Sequence, residues 1–506
     1  MPTYDNAKSL TGSRGVVEAH QPHKLKVKVQ ILPTPMDRPI PDLPFSNADL
    51  ETCLRVLQEV SEAPAMMNDH ARFKSLVTKI HRHAKREKRA ASNAVINQAD
   101  RQAIESTQIV QQQVGTVPLL QPALAAQKLD ADSADASLPS SKLNRPRRCY
   151  VCKQPYTALH SFYHQLCPDC AQVNWSKREQ LADLSERVAL ITGGRIKIGF
   201  ATALKMLRDG ATVVATTRFP IDAAKRYAAQ PDFGDWQDRL QIVAVDLRNI
   251  PAVESLAGQL NRELDSLDIL IHNAAQTVKR PLAFYQHLLD ARCDDQTMSL
   301  IRNDVAQSVL LETGRGYGGQ LMNVNQYFPE GSFDIDGQQV DERGHHSWMM
   351  KLDEITTIEL LETYLVSAAA PFVLTRLLKP LMIRSPHPRR FIINVSAMEG
   401  QFERKNKTAF HPHTNMAKAA MNMMTRTSAT DFANEGIFMN SVDTGWITDE
   451  KPLPIAQRVQ KEQAFYPPLD IVDGAARIYD PIVRGCNESC EPLFGHFLKD
   501  YEPYAW

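Results

Sequence analysis

The chain has 506 residues, with 58 Lys and Arg residues, 58 Asp and Glu residues and a formal net charge of zero. At roughly one domain per 150 residues, this length predicts two to four folded units. The balanced charge argues against a generally polybasic nucleic-acid binder, and 43% hydrophobic residues are enough to form a core. The N-terminus lacks a secretory apolar segment, and no apolar run approaches about 18 residues. We therefore expect a cytoplasmic protein that does not span a membrane.

The first 145 residues show no pattern of an enzyme core. Residues 1–45 are rich in proline, which predicts an extended arm. Ser46 followed by Asp49 predicts a helix start, and apolar spacing predicts a second helix around Arg72–Ala91 with a basic end. The rest of 46–145 is predicted to be a weak helix and a flexible linker. The basic end is interpreted mainly as a solvated surface, with a nucleic-acid or acidic protein partner as the alternative.

Four of the eight cysteines form two close pairs. The pairs Cys149-x2-Cys152 and Cys167-x2-Cys170 are separated by fourteen residues. This spacing is typical of four thiolates around one tetrahedral zinc ion, and it predicts a zinc-ribbon-like module over residues 146–183. Because four cysteines fill every coordination position, the predicted site is structural.

After Leu184, short apolar runs alternate with helical patterns. The predicted strands are 188–192, 211–215, 242–245, 269–272, 391–395 and 438–442, and the predicted helices are 200–208, 253–264, 360–382 and 415–433. This alternation predicts an α/β fold with a Rossmann-type, doubly wound parallel sheet over 184–506. The long interval at about 276–354 breaks the pattern, and it predicts a large insertion over the ligand edge of the sheet.

The first predicted strand runs into the turn Thr192-Gly193-Gly194-Arg195-Ile196-Lys197-Ile198-Gly199 and then into a helix. A glycine-bearing turn here lets backbone amides approach a pyrophosphate at the helix N-terminus. The segment resembles the TGxxxGxG motif of the short-chain dehydrogenase/reductase family, with Lys197 in place of the middle glycine. The resemblance covers residues 184–501. It implies an oxidoreductase that binds a nicotinamide dinucleotide and acts on an unidentified small-molecule substrate.

Further segments strengthen this resemblance. Arg218 stands where similar enzymes hold the 2′-phosphate, which favours NADP over NAD. Asp246 and Leu247 resemble the family's adenine contact, Asn273 resembles part of its NNAG motif, and residues 440–448 resemble the segment that covers the nicotinamide. The resemblance implies these cofactor-binding residues: Thr192, Gly193, Arg195, Ile198, Gly199, Arg218, Asp246, Leu247, Asn273 and Lys418.

The family's catalytic positions are only partly filled. Lys418 occupies the lysine position, Thr414 the tyrosine position and Ser367 the asparagine position, while Ser396 lies one residue before the serine position. The resemblance makes Lys418, Thr414 and Ser396 the candidate catalytic residues. A threonine hydroxyl has too high a pKa to replace a phenol, so another acid is needed. The alternatives are His411, His413, Tyr317, Tyr327, His345, His346, Glu399 and Glu403.

Two functions therefore stay open. The first is an NADP-dependent oxidoreductase with non-standard catalytic residues. The alternative is a catalytically inactive, nucleotide-binding scaffold or sensor coupled to a zinc-dependent module that binds protein or nucleic acid. Members of the family commonly pair through helices equivalent to 360–382 and 415–433, which implies a homo-oligomer. The N-terminal region is a second candidate surface for a protein partner.

Overall fold

The structure is a computed structural model that describes residues 45–67, 70–114, 141–289, 291–292, 294–302, 324–334, 336–403 and 407–506. Three sequence predictions lie outside these residues: almost all of the arm, the linker residues 115–140, and the glycine-rich part of the insertion with Tyr317. The chain divides into two compact units, 1–89 and 90–506.

The described part of the first unit is helical. Helix α1 (Asn47–Glu62) begins at a capping box, in which the Ser46 hydroxyl accepts the Asp49 N–H and the Asp49 carboxylate accepts the Ser46 N–H. This confirms the helix start predicted from these two residues. Helix α2 (Ala71–Glu105) extends well beyond the predicted end at Ala91. The reason is composition, because residues 92–105 include several alanines and neither proline nor glycine.

The second unit begins with a small α/β module. It contains α3 (Gln108–Val114), the antiparallel strands β1 (Lys142–Arg148) and β2 (Pro155–Ala158), and α4 (Pro168–Glu179). Strand β1 starts inside the residues predicted as linker. Its position is fixed by Asp100 of α2, whose carboxylate accepts the backbone N–H groups of Asn144 at 2.7 Å and Arg145 at 3.2 Å. Sequence patterns that predict individual helices and strands do not reveal such a contact between distant residues.

The remainder of the second unit is built around one sheet, which has nine strands in the described part of the chain. Its order is β11-β10-β9-β8-β6-β3-β4-β5-β7, and every neighbouring pair is parallel except β10 with β11. The strands are β3 (Val188–Thr192), β4 (Thr212–Thr217), β5 (Leu240–Ala244), β6 (Ile269–His272), β7 (Ile301–Arg302), β8 (Arg390–Ser396), β9 (Ile437–Asp443), β10 (Phe497–Lys499) and β11 (Glu502–Tyr504). The predicted doubly wound parallel sheet is confirmed.

Helices cover both faces of this sheet. They are α5 (Lys197–Arg208), α6 (Pro220–Ala228), α7 (Ile250–Glu263), α8 (Gln286–Leu289), α9 (Asp295–Ser299), α10 (Thr357–Tyr364), α11 (Ala370–Ile383), α12 (Pro412–Ala433), α13 (Leu453–Gln463) and α14 (Ile471–Cys486). Side chains alternate between faces along a strand. On β3, Ala189 and Ile191 pack with α5, α6 and α14, whereas Leu190 packs with α7, α11 and α12. Because both faces are buried, the strands are continuously apolar.

Within the described ranges, one helical segment meets the length and hydropathy criteria for a membrane span. It runs over Thr357–Ile383, joining α10 and α11 through a π-helical turn at Leu365–Ala369, with a mean hydropathy of 1.4 in its most apolar window. Leu374, Leu378 and Leu381 of α11 are fully buried against α7 and the sheet. Core packing therefore accounts for these three leucines, and 44% of the most apolar window is buried.

Candidate dinucleotide-binding cleft

A cleft of about 540 Å³ lies at the carboxyl ends of β3, β4, β5 and β6. Its lining comes from the turn after β3, from the ends of the next strands, from the insertion, and from the segment after β9. Of the predicted cofactor residues, those that line it are Gly193, Arg195, Ile198, Gly199, Arg218, Asp246, Leu247 and Asn273. Thr192 lies beneath the turn, and Lys418 is not part of the lining. In parallel α/β sheets this edge is where ligands bind.

The turn after β3 depends on very close backbone packing. Gly193 has a φ of +71°, and a Cβ at Gly199 would stand 2.2 Å from the Gly193 carbonyl oxygen. The Asn273 side-chain amide donates to the carbonyl oxygens of Thr192 (3.1 Å) and Gly193 (3.2 Å). The Thr192 hydroxyl in turn accepts the N–H groups of Asn273 and Ala274, both at 3.1 Å. Asn273 therefore fixes the turn to the end of β6.

Lys197 has a left-handed backbone, with a φ of +53°, at the position where the family motif has a glycine. Its ammonium lies 3.7 Å from both Asp336 of the insertion and Glu450 of the segment after β9. Burial lowers the pKa of Lys197, but the combined attraction of Glu450, Asp336 and Asp334 outweighs it, so the pKa is raised. A cation therefore stands at the first turn of α5, on the wall of the cleft.

The Arg195 guanidinium is already hydrogen-bonded to residues of α6 and of the insertion. Its guanidinium donates to Asp222 of α6 at 2.6 Å and to Gln338 of the insertion at 2.7 Å, and it lies over the Phe219 ring. The structure thus shows Arg195 joining the insertion to α6 at the edge of the cleft.

Arg218 follows β4 and lies beside a stacked pair of aromatic rings. Its guanidinium carbon is 5.0 Å from the centre of the Tyr285 ring and 5.4 Å from that of Phe219. The guanidinium also donates to the Tyr285 hydroxyl at 3.2 Å, and the two rings stack with centres 5.1 Å apart. This arrangement holds a planar cation at the end of the cleft next to Asp246 and Leu247.

Asp246, after β5, is an ionised carboxylate held by Arg248. The Arg248 guanidinium donates to it at 2.6 Å and the Arg248 backbone N–H at 3.0 Å. Burial raises the pKa of Asp246, but the hydrogen bonds and charge of Arg248 outweigh this effect, and the pKa is lowered overall. The carboxylate is therefore kept ionised at the end of the cleft that Arg218 also lines.

Several cleft residues were not predicted from the sequence. Tyr285, Gln338 and Asp341 belong to the insertion, and Glu450 follows β9. Asp341 forms ion pairs with Arg280 and Arg343, which tie the insertion together. The family motifs contain no counterpart of the insertion, so motif matching could not find these residues. The only signal was the length of the interval 276–354.

The candidate catalytic residues lie outside the cleft lining. The Lys418 ammonium donates to the Val395 carbonyl oxygen at 2.7 Å, and burial lowers the pKa of Lys418 to about 8 against the weaker attraction of Glu399. The Ser396 hydroxyl donates to the Asn422 side chain at 2.6 Å. The buried Thr414 hydroxyl has no hydrogen-bond partner among the described residues. The structure therefore brings no proton donor from these three residues to the cleft.

The alternative acids occupy different surroundings. His411 stacks on Trp348 of the insertion with ring centres 4.1 Å apart, and buried His413 lies 3.7 Å from Glu359. His346 lines the cleft, and burial lowers its pKa to about 4. His345 is exposed beside Glu354. Tyr327 and Glu399 are half-buried, and Glu403 is exposed.

Asp443, at the end of β9, is an acid that the motif comparison missed. It is the register partner of Ser396 on β8. Burial, assisted by the negative charges of Asp500 and Glu399, raises the pKa of Asp443 to about 6, although Lys499 and Arg477 oppose this. A carboxyl group that titrates near neutral pH thus lies next to a family catalytic position.

The four paired cysteines converge within the module. Their sulfur atoms all lie within 4.8 Å of one another, and the Sγ atoms of Cys152 and Cys167 are 3.7 Å apart. Zinc–sulfur bonds of about 2.3 Å in a tetrahedron give sulfur–sulfur distances of about 3.8 Å. The Cys167 N–H donates to the Cys149 sulfur at 3.3 Å, as a thiolate ligand requires. The donor set therefore fits a tetrahedral metal ion.

Comparison with known proteins agrees with the Rossmann-type fold and with the glycine turn after β3. A family model described as short chain dehydrogenase matches residues 187–298, and one described as enoyl-(acyl carrier protein) reductase matches residues 343–467. The unmatched stretch between them, residues 299–342, lies within the insertion. The chain belongs to the short-chain dehydrogenase/reductase family.

Relatives of this family member include an uncharacterized protein R665 of Acanthamoeba polyphaga mimivirus. The two are 30% identical over 361 residues, which is 68% of this chain and 73% of the viral protein. The peroxisomal 2,4-dienoyl-CoA reductase of Rattus norvegicus is 28% identical over 170 residues, and the chain spans only about half of that enzyme's length (51%). Among solved structures, NADPH-bound carbonyl reductase from chicken fatty liver has 17% identity and a TM-score of 0.41, with 64% of this chain and 99% of that chain covered.

The burial of Lys418 predicts a specific pH dependence of stability. The folded protein releases the Lys418 proton near pH 8 and the unfolded chain near 10.5. Between these values the unfolded state binds more protons, so the cost of burying the charge shrinks as the pH rises. As the pH rises between these two values, the free energy of unfolding of the wild-type protein should rise relative to that of Lys418→Met. The rise should be up to about 1.4 kcal/mol per pH unit.

Urea denaturation of both proteins at about pH 7 and about pH 9.5 measures this difference. The Lys418→Met protein serves as the control, because it shares every other titrating group. A difference between the two proteins that does not change with pH would contradict the buried position of the ammonium.

Proposed function

We propose that this protein is an NADP-dependent oxidoreductase of the short-chain dehydrogenase/reductase type with non-standard catalytic residues. The observation that carries the proposal is the cleft, where the glycine turn and the Arg218 and Asp246 side chains line the same 540 Å³ space. The turn presents the N-terminus of α5 to a pyrophosphate. Arg218 supplies a cation, and Asp246 an acceptor, at the other end.

The preference for NADP over NAD follows from Arg218. A guanidinium held beside two aromatic rings and hydrogen-bonded to the Tyr285 hydroxyl is fixed in orientation, and its planar set of donors matches a phosphate group better than a hydroxyl. The carboxylate near it, Asp246, already receives hydrogen bonds from Arg248. This arrangement favours a 2′-phosphate over a 2′-hydroxyl as the partner of Arg218.

When bound, the cofactor would supply or accept a hydride at its nicotinamide ring. The chain's own residues would bind and orient it: the turn would hold the pyrophosphate, Arg218 the 2′-phosphate, and residues 440–448 would cover the nicotinamide. When a hydride adds to a carbonyl carbon, a proton must reach the carbonyl oxygen. We propose Asp443 as the first candidate donor, because it is the register partner of Ser396 on β8 and burial raises its pKa to about 6. Like Lys418, Thr414 and Ser396, it does not line the cleft, so its assignment depends on its pKa and on its place beside Ser396.

The second candidate function is a nucleotide-binding scaffold without turnover. The observation that favours it is Thr414, which replaces the family's tyrosine and is buried without a hydrogen-bond partner in the described residues. Lys418 also donates to a backbone carbonyl oxygen and does not line the cleft. In that case the dinucleotide stabilises the folded protein by mass action.

Arg218→Ala should weaken NADPH binding much more than NADH binding. Removing a charge-assisted contact with the 2′-phosphate should raise the dissociation constant for NADPH by roughly 10- to 100-fold. Titration followed by nicotinamide fluorescence measures both constants. The control is Arg208→Ala, whose guanidinium pairs with Asp232 outside the cleft. Equal losses for NADPH and NADH would contradict the phosphate role of Arg218.

The oxidoreductase proposal predicts hydride transfer. Protein that binds NADPH is incubated with a panel of ketones, aldehydes and enoyl thioesters, and the loss of NADPH absorbance is followed under single-turnover conditions. Asp443→Asn should retain NADPH binding and lose at least about 100-fold in rate, because general acids contribute this much. Binding without any hydride transfer across the panel would support the scaffold in place of the enzyme.

We further propose that Cys149, Cys152, Cys167 and Cys170 hold a structural zinc ion. The converging sulfur atoms support this proposal. Four thiolates leave no open coordination position, so the ion stabilises the module and takes no part in the reaction. A homo-oligomer is supported by the exposed apolar side chains of Phe372 on α11 and Met423 on α12. The cytoplasmic location and a partner at the N-terminal region stay predictions.

Purified protein should contain about one zinc ion per chain. The double substitution Cys149→Ser, Cys152→Ser should remove the metal and lower the melting temperature, because a structural zinc site contributes directly to folding. The matched control is Cys53→Ser, Cys490→Ser, which replaces two exposed cysteines. Metal analysis and thermal denaturation measure both effects. Full zinc content in the first variant would show that the ligands are wrongly assigned.

A further inference from the structure

The four-cysteine module is packed tightly against the dinucleotide-binding fold. Arg178 of α4 forms ion pairs with Asp470 at 2.7 Å and Asp473 at 3.0 Å, at the start of α14. Asn174 accepts a hydrogen bond from buried Arg477 of α14 at 2.7 Å. Breaking such buried pairs by removing one partner is strongly destabilising. The module is therefore an integral part of the second unit.

The apolar core of the module continues to the cleft. One buried cluster contains Leu143, Tyr156 and Leu166 of the module together with Ile447, which follows β9. Ile198 of the glycine turn packs against the same cluster. The contact is close, because a Cβ at Gly474 between them would lie 2.3 Å from Ile447 and 3.0 Å from Ile198. A change in the packing of the module would therefore shift both the glycine turn and the segment after β9.

Tyr150 makes the polar contact between the module and the segment after β9. It lies between Cys149 and Cys152, and its hydroxyl accepts the backbone N–H of Trp446 at 3.0 Å. The Tyr150 N–H donates to the Gln165 carbonyl oxygen at 2.8 Å, which fixes the tyrosine to the second half of the module. The position of the Trp446 backbone thus depends on a residue inside the first cysteine pair.

From Trp446 the hydrogen bonds lead into the cleft. The indole N–H of Trp446 donates to the Thr448 carbonyl oxygen at 3.0 Å, and the Thr448 hydroxyl donates to Glu450 at 2.7 Å. Glu450 is 3.7 Å from the Lys197 ammonium. Thr448, Glu450 and Lys197 all line the cleft. A continuous series of contacts therefore joins the first cysteine pair to the wall of the cleft.

We propose that Tyr150 is a positioning residue of the cofactor site, through which the metal-bound module holds residues 446–450 in place for the nicotinamide half of the dinucleotide. This inference rests on the proposed binding of NADP. The module that would bind the metal and the segment after β9 that would contact the cofactor share one hydrogen bond and one apolar cluster. The binding of the metal and the binding of the cofactor are therefore coupled. By linkage, each ligand then raises the affinity for the other by the same factor.

The two ends of the cleft give the inference a selective test. Arg218 and Asp246 lie after β4 and β5, whereas Thr448 and Glu450 follow β9 on the other side of β3. Adenosine 2′,5′-bisphosphate carries the ribose phosphate and adenine and lacks the nicotinamide. The affinity for adenosine 2′,5′-bisphosphate therefore reports on the Arg218 end of the cleft alone. The affinity for NADPH reports on both ends of the cleft. A loss confined to NADPH therefore separates positioning from general destabilisation.

Tyr150→Phe removes the acceptor of the Trp446 N–H and keeps the ring. It should raise the dissociation constant for NADPH by roughly 3- to 10-fold, the effect of one lost hydrogen bond, and change that for adenosine 2′,5′-bisphosphate less than about twofold. The matched control is Tyr156→Phe, because the Tyr156 hydroxyl donates to the His164 carbonyl oxygen at 2.7 Å inside the module. Because Tyr156→Phe keeps the ring and therefore the packing of the apolar cluster, the control should leave both constants unchanged.

The coupling is measured by the release of zinc to a coloured chelator. Saturating NADPH should slow zinc release from the wild-type protein and have a clearly smaller effect on Tyr150→Phe. Unchanged NADPH affinity in Tyr150→Phe, or equal losses for both nucleotides, would overturn the inference while the proposed function stands. Absence of NADPH binding to the wild-type protein would overturn the proposed function, and absence of zinc would overturn the metal coupling.

Discussion

The close approach of Gly199 to the Gly193 carbonyl oxygen is the constraint on which the cofactor cleft depends. No side chain fits at Gly199, since its Cβ would lie 2.2 Å from that oxygen and 2.4 Å from the Asn273 amide. Only this packing brings α5 close enough to β3 for its N-terminus to face the cleft. Asn273 then joins the turn to β6 through two hydrogen bonds. The cleft is therefore built on backbone contacts, around which the variable side chains are arranged.

The sequence predicted those parts of the site that are determined locally. Thr192, Gly193 and Gly199 form a turn whose geometry depends on neighbouring residues, and Arg218 and Asp246 each follow a strand whose apolar pattern is plain. Their positions could be predicted because the ends of parallel strands meet at one edge. Tyr285, Gln338 and Glu450 meet them through folding of distant segments. No periodicity or spacing in the chain encodes those contacts.

The same distinction explains the catalytic positions. The sequence placed Lys418 correctly on α12, but its hydrogen bond to Val395 and its lowered pKa follow from burial. Asp443 reads in the sequence as an ordinary residue after an apolar strand. It becomes a group with a pKa of about 6 because it is buried near Asp500 and Glu399, and those neighbours come from other segments. Chemical function at this site is therefore a product of tertiary structure.

The module and the unusual Lys197 are best understood together. A lysine in a left-handed conformation costs about 1 kcal/mol relative to glycine, and burial of its ammonium adds to this cost. Glu450 and Asp336 offset both costs by keeping Lys197 charged. Glu450 reaches Lys197 through the series of contacts that begins at Tyr150 in the first cysteine pair. The departure from the family motif and the docked module thus belong to one arrangement, in which a cation on the wall of the cleft is held by a segment that the module supports.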